Sequence, residues 1–176
     1  MSHTLTTQES VEVKIMAGKV KAIPDGYHTV TPYFTVRDAA RAVEFYKRAF
    51  GAVELMRMAD PDGKIRHAEI KIGDSPIMLG DEFPEFPEMR SCQALGGSPV
   101  SVYLYVEDVD ALFNQAVAAG AKVRTPVKDE FYGDRVGAVE DPYGLAWFIA
   151  THKEDVAPEE IARRASAAGI SLDFHL

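Results

Sequence analysis

One pattern appears twice in this chain, and that repetition limits what it can fold into. From Phe34 to Ala52 the sequence reads as a strand, an acidic cap at Asp38, an amphipathic helix and a terminating Gly51. From Leu104 to Ala121 it reads the same way, with a cap at Asp108 and a stop at Gly120. Val36 and Asp38 match Val106 and Asp108 at an offset of 70 positions, and Gly51 matches Gly120 with one gap. A duplication of this size implies two similar βαβββ modules in one chain. The expected fold class is α+β, with the curved sheets of the two modules facing a cavity.

Local signals divide the chain further. Residues 1–26 form an N-terminal extension; its alternating stretch Val11 to Ile15 reads as a short edge strand. The first module spans 27–82, with strands Thr31–Val36, Val53–Met58, Ile65–Ile72 and Ile77–Leu79. Asp38 is its helix cap and Asp60 to Gly63 a tight turn. Residues 83–99, rich in proline and glycine, read as a linker. The second module spans 100–152, with strands Val100–Val106, Lys122–Pro126, Arg135–Glu140 and Leu145–Ala150. Val127–Gly133 is expected to be a loop and Asp141 to Gly144 a turn. The tail, 153–176, carries a helix starting at Pro158, a residue favoured in the first helical turn.

Composition excludes several classes. The net charge is −8, and no lysine–arginine cluster stands out, which argues against nucleic acid as a partner. No apolar run reaches the roughly 18 residues of a membrane span, and the N-terminus lacks the basic-then-apolar order of a signal peptide. Membrane association is therefore not expected, and the expected location is cytoplasmic. Cys92 is the single cysteine, so neither an intrachain disulfide nor a multi-thiolate metal cluster can form. It lies in the linker without an activating base and reads as a bystander.

Strand alternation sorts the candidate residues. Thr31, Tyr33 and Thr35 of the first module, and Ser101, Tyr103 and Tyr105 of the second, share the cavity side; Phe34, Val36, Val102, Leu104 and Val106 pack the other way. In the third strand Ala68, Ile70 and Ile72 meet the helix, leaving His67, Glu69 and Lys71 toward the cavity. Tyr132 and Arg135 lie at its mouth. His67 and Glu69 are either a polar pair touching ligand, with His67 as general base, or a hydrogen-bonded strand face. Tyr103 and Tyr105 either stack on a planar ligand or fill an interface. Arg135 either grips a carboxylate or pairs with Glu130 or Asp134. Trp147 reads as core, and His152 as a surface residue.

In the order and spacing of its motifs the chain resembles the vicinal oxygen chelate superfamily, which includes glyoxalases, bleomycin-resistance proteins and extradiol dioxygenases, and within it PhnB-like proteins. The stretches that carry the resemblance are Thr31 to Ala40, Phe45 to Ala52, His67 to Ile70, Ile77 to Glu82, Tyr132 to Arg135, Asp141 to Trp147 and Ala150 to His152. Some PhnB-like proteins carry a methyltransferase label, but this chain has no glycine-rich strand–helix turn of the kind that holds adenosyl cofactors in a doubly wound sheet. The resemblance implies metal ligands on the first and fourth strands of each module. In this sequence those positions fall on Thr31, Leu79, Ser101 and Phe148, which cannot make the usual histidine–glutamate set. No metal and no cofactor are expected.

The resulting expectation is a metal-independent protein that binds a small aromatic or polar molecule. Its ligand residues would be Thr31, Tyr33, Thr35, Ser101, Tyr103, Tyr105, Tyr132, Arg135 and Phe148. The resemblance also implies a homodimer whose cavities take strands from both chains. The alternative is a lyase, isomerase or dioxygenase-type enzyme acting through His67 and Glu69, or through a divalent metal in a noncanonical set. A third possibility is a regulatory protein with a vestigial pocket.

Overall fold

In a computed structural model, residues 20–172 are described, so the alternating stretch Val11 to Ile15 lies outside them. The elements run β1 (Tyr33–Val36), α1 (Ala39–Phe50), β2 (Val53–Ala59), β3 (Ile65–Ile72), β4 (Ser75–Asp81), α2 (Cys92–Leu95), β5 (Ser101–Tyr105), α3 (Val109–Ala119), β6 (Lys122–Asp129), β7 (Asp134–Glu140), β8 (Ala146–His152) and α4 (Pro158–Ala167). They build two open four-stranded sheets with the same topology, β1-β4-β3-β2 and β5-β8-β7-β6. In each, the module's first and last strands pair in parallel and all other pairs are antiparallel. The duplicated sequence is thus a duplicated α+β fold.

The helices form because their apolar residues recur at three- and four-residue spacing. In α1, Ala39, Ala42, Val43, Tyr46, Ala49 and Phe50 are all buried. Asp38 caps it by accepting from the Arg41 amide at 3.2 Å and adopts a left-handed conformation (φ 63°) to do so. Asp81, at the end of β4, takes the Ala39 amide (2.9 Å) on one oxygen and the Ile65 amide (2.7 Å) on the other. One carboxylate therefore fixes the start of α1 against the start of β3. In α3, Asp108 plays the capping role toward Ala111 (2.9 Å).

Three segments differ from the sequence expectation. β1 starts at Tyr33 because Pro32 has no N–H to give, although its carbonyl still accepts from Met78 (2.9 Å). β6 runs on through Pro126 to Asp129 where a loop was expected. It is an edge strand, and its register with β7 slips between Thr125 and Lys128, so no ladder bond is demanded of the proline. The linker folds a short turn of helix, α2, between a Ser91 cap and Gly96.

The modules meet through their helices and through Asp141. Gln115 of α3 donates to the carbonyls of Arg48 (2.9 Å) and Ala49 (3.2 Å) at the end of α1. Trp147 of β8 lies against Phe50, with ring centroids 4.4 Å apart, and edge-on to Phe34. The buried Asp141 carboxylate accepts from Tyr46 Oη and Trp147 Nε1 on one oxygen (2.9 Å each). Its other oxygen accepts from the backbone amides of Tyr143 (2.8 Å) and Leu145 (3.0 Å). Burial pushes its pKa up, against the pull of these four donors.

Asp141→Ala would leave those four donors unpaired in the core. A loss of at least about 4 kcal/mol is expected, from four penalties of roughly 1–3 kcal/mol each. Asp141→Asn keeps the shape but turns an NH2 toward donors, and should cost less, about 2 kcal/mol. Urea unfolding of the two variants measures both.

Candidate ligand-binding site

The helices cover one face of each sheet; the opposite faces carry most of the candidate residues. On the first sheet, register sets Tyr33, Met78, Glu69 and Met56 in one row across β1, β4, β3 and β2, with His67 opposite Met58 beside it. His67 Nε2 lies 3.0 Å from Glu69 Oε1, and the other carboxylate oxygen takes the hydroxyl of Tyr27. The Tyr33 ring packs 5.8 Å from the His67 ring. The Tyr33 hydroxyl crosses β4 at Gly80, where a Cβ would sit 2.8 Å from it. Tyr27, and after it His67, hold the Glu69 carboxyl below its ordinary range.

On the second sheet the face is aromatic. Tyr103 and Phe148 are cross-strand partners, stacked at 5.8 Å and 8°. Tyr105 packs 5.0 Å from Tyr103. Burial, and then the Tyr132 hydroxyl beside it, raise the Tyr103 pKa, so its phenol stays protonated at neutral pH. The Tyr105 hydroxyl donates to Asp134 Oδ2 (2.9 Å), and this bond raises its pKa. Asp134 is only 5% exposed. Its other oxygen meets His152 Nδ1 at 2.7 Å.

The expected site residues therefore fall into groups. His67 and Glu69 are together, with Tyr33 against them and half-buried Thr35 along β1. Tyr103, Tyr105, Phe148 and Tyr132 are together on the other sheet. Thr31 precedes β1 and bonds the His28 carbonyl (3.3 Å), while Ser101 opens β5, exposed. Arg135 stands apart. It alternates with Asp134 along β7 and so points to the helix side. There Asp110 holds it through two bonds (2.7 and 2.8 Å) and Asp129 through a third (3.1 Å), rather than Glu130 or Asp134.

Leu79 needs a correction. The resemblance places a metal ligand at or near it, but it is 0% exposed and sits in the core; Met78, beside it, lies in the open-face row with Tyr33 and Glu69. With Thr31, Ser101 and Phe148 as the other three positions, the donor set does not suit a divalent metal. Among the described residues no three His, Cys, Asp or Glu side chains converge to hold one.

A cavity of about 560 Å³ touches Tyr33 and Thr35 of the candidate residues but lies apart from the two open faces. It follows the free edge of β1 beneath the linker, lined by Phe34, Tyr46, Met89, Cys92, Leu95 and Tyr143, and neither His67 nor Phe148 reaches it.

Sequence reasoning missed Tyr27, Asp134 and the bonding of His152. Strand parity separates Asp134 from Arg135 and would have placed the former on the aromatic face. Nothing in the sequence links Tyr27 to Glu69, 42 positions away.

Two βαβββ modules, each a four-stranded mixed sheet with a helix on one face, define the fold class. The description "Glyoxalase/Bleomycin resistance protein/Dioxygenase superfamily" matches residues 27–149, and the chain belongs to that superfamily. An uncharacterized protein of Mycobacterium bovis is 42% identical over 142 residues, covering 80% of this chain and 93% of the relative. The crystal structure of TioX from Micromonospora sp. ML1 is 31% identical, with a TM-score of 0.56, covering 70% of this chain and 97% of that one. A PhnB protein from Bacillus cereus, titled a putative 3-demethylubiquinone-9 3-methyltransferase, shares the fold at 17% identity and a TM-score of 0.56, covering 70% and 99%. The family and fold expected from the motifs are borne out.

The depressed pKa of Glu69 has a pH consequence. Its stabilising bonds are fully present above the unfolded carboxylate value, near 4.5, and are lost as pH falls through the lower folded value. Tyr27→Phe should raise the Glu69 pKa toward the ordinary value and weaken the protein's resistance to acid. Carboxyl ¹³C titration and acid unfolding read the two effects.

Proposed function

We propose that this protein binds a small planar aromatic or polar molecule without a metal. The observation that carries this reading is the stacked Tyr103–Phe148 pair beside Tyr105, on a sheet face that no helix among the described residues covers. Phe148 stands where the family resemblance implies a metal ligand, so an aromatic wall replaces a coordinating group. Such walls, with a few fixed polar groups, are what small-molecule sites use. Here the polar groups are the Tyr105 and Tyr132 hydroxyls, with Asp134 behind them.

The same reading takes the protein as a homodimer. Tyr33, Met56 and Met58 on one sheet, and Tyr103, Tyr105 and Phe148 on the other, remain open to solvent in a single chain. A second copy would cover this apolar surface and set the polar face of one chain against the aromatic face of the other. No helix among the described residues is long and apolar enough to cross a membrane, and a cytoplasmic location is part of the proposal.

A second reading, an enzyme, is favoured by one observation. Tyr27, Glu69 and His67 form a hydrogen-bonded chain in which the carboxylate orients the imidazole, the arrangement a general base needs.

The test is calorimetric titration of dialysed, metal-free protein with planar heteroaromatic compounds, alongside sedimentation to determine mass. The expected result is a dimer that binds at least one compound at roughly micromolar Kd, about −8 kcal/mol. Tyr103→Ala and Phe148→Ala should each weaken binding by about tenfold, in line with the roughly 0.5–1.5 kcal/mol of an aromatic pair. His67→Ala should weaken it less. Binding that survives the Tyr103→Ala/Phe148→Ala double variant would overturn the assignment. Turnover abolished by His67→Ala would make the enzyme the better account.

A further inference from the structure

His152 closes β8 with a carboxylate on each ring nitrogen: Asp134 Oδ1 is 2.7 Å from Nδ1 and Asp155 Oδ1 is 3.0 Å from Nε2. A neutral imidazole has one N–H and satisfies only one of them, leaving a lone pair facing an anionic oxygen. The imidazolium satisfies both. The two carboxylates are unlike. Asp134 is buried and also holds the Tyr105 hydroxyl, whereas Asp155 is fully exposed on the strap that joins β8 to α4.

That strap is tied to the turn carrying Tyr132. The Lys153 and Glu154 amides both donate to the Gly133 carbonyl (2.9 and 3.0 Å). Gly133 has φ +102°, and a Cβ there would lie 2.2 Å from the Glu154 carbonyl oxygen, so only glycine permits this approach. Arg164 of α4 reaches the Phe131 carbonyl (3.3 Å) and grips Glu154 through two bonds of 2.9 Å.

We propose that His152 is a positioning residue and a pH-responsive latch: as an imidazolium it bridges Asp134 and Asp155, holds the strap on the 130–133 turn, and so fixes Tyr105 and Tyr132 in the aromatic platform. Deprotonation breaks one of the two bridges and loosens the strap, which the Gly133 and Arg164 ties still hold. The groups facing the ring are Asp134 from β7, Asp155 from the strap and, through Asp134, Tyr105 from β5. Among the described residues no lysine or arginine is a hydrogen-bond partner of the ring. Asp134, then Asp155, raise the His152 pKa above its ordinary 6.5. The latch is therefore fully engaged below that value and is lost as pH rises through the higher folded one. The latch rests on the proposed ligand reading only for what the platform does; the strap itself is testable without ligand.

The experiment uses the full chain without ligand. NMR follows the His152 ring between pH 5 and 9 together with hydrogen-exchange protection factors of the Lys153 and Glu154 amides. The expected result is a titration midpoint above 6.5, lowered in Asp155→Asn. Protection should fall about tenfold across the wild-type midpoint, and the fall should be absent in His152→Gln. A midpoint at or below 6.5, protection unchanged through the titration, or a wild-type pH response in His152→Gln would each overturn the latch. Aromatic probes that fail to bind at any pH, with the strap still responding, would count against the ligand reading and leave the latch standing.

Discussion

Asp141 is the interaction on which the assembly of the two modules depends. Its carboxylate joins a hydroxyl from α1 of the first module to an indole N–H from β8 of the second, and its second oxygen closes its own turn. A buried charge is costly unless its hydrogen-bonding capacity is filled. Here all four donors are placed before any ligand is considered. Tyr46 and Trp147 are both fully buried and both donate to it, so the carboxylate and the aromatic core require each other. The packing of Phe34, Phe50 and Trp147 around it then settles which face of each sheet is closed and which stays open.

Much of this was legible because it depends on local periodicity. The repeated strand–cap–helix–glycine pattern gave both modules, and alternation along β1, β3 and β5 sorted the helix side from the open side; Ala68, Ile70 and Ile72 are buried as that argument requires. The pattern was blind where an element's role depends on its neighbours. Pro126 reads as a strand breaker unless one knows that β6 has a partner on one side only. Leu79 was reached by counting to an approximate position, and an error of one residue reverses the face of a strand.

The site was less legible than the fold. His67 and Glu69 share a face by parity, but their third partner, Tyr27, comes from the segment ahead of β1, and no spacing rule links it to them. Asp141 read as an ordinary turn residue, since an Asp-Pro-x-Gly sequence accounts for itself locally. His152 looked like a surface residue because it follows the last strand, yet its two carboxylate partners come from β7 and from the tail.

The two sheets repeat one topology while their open faces differ in chemistry. One carries an imidazole, a carboxylate, thioethers and the Tyr33 phenol; the other carries stacked phenol and phenyl rings backed by a buried acid. The duplicated scaffold therefore has a pseudo-symmetric frame and an unsymmetrical lining. A molecule touching both linings would find them non-interchangeable, and turning it end for end would exchange hydrogen bonds for stacking. The repeat supplies polarity in the sense of direction: a guest with unlike ends would have one way to lie.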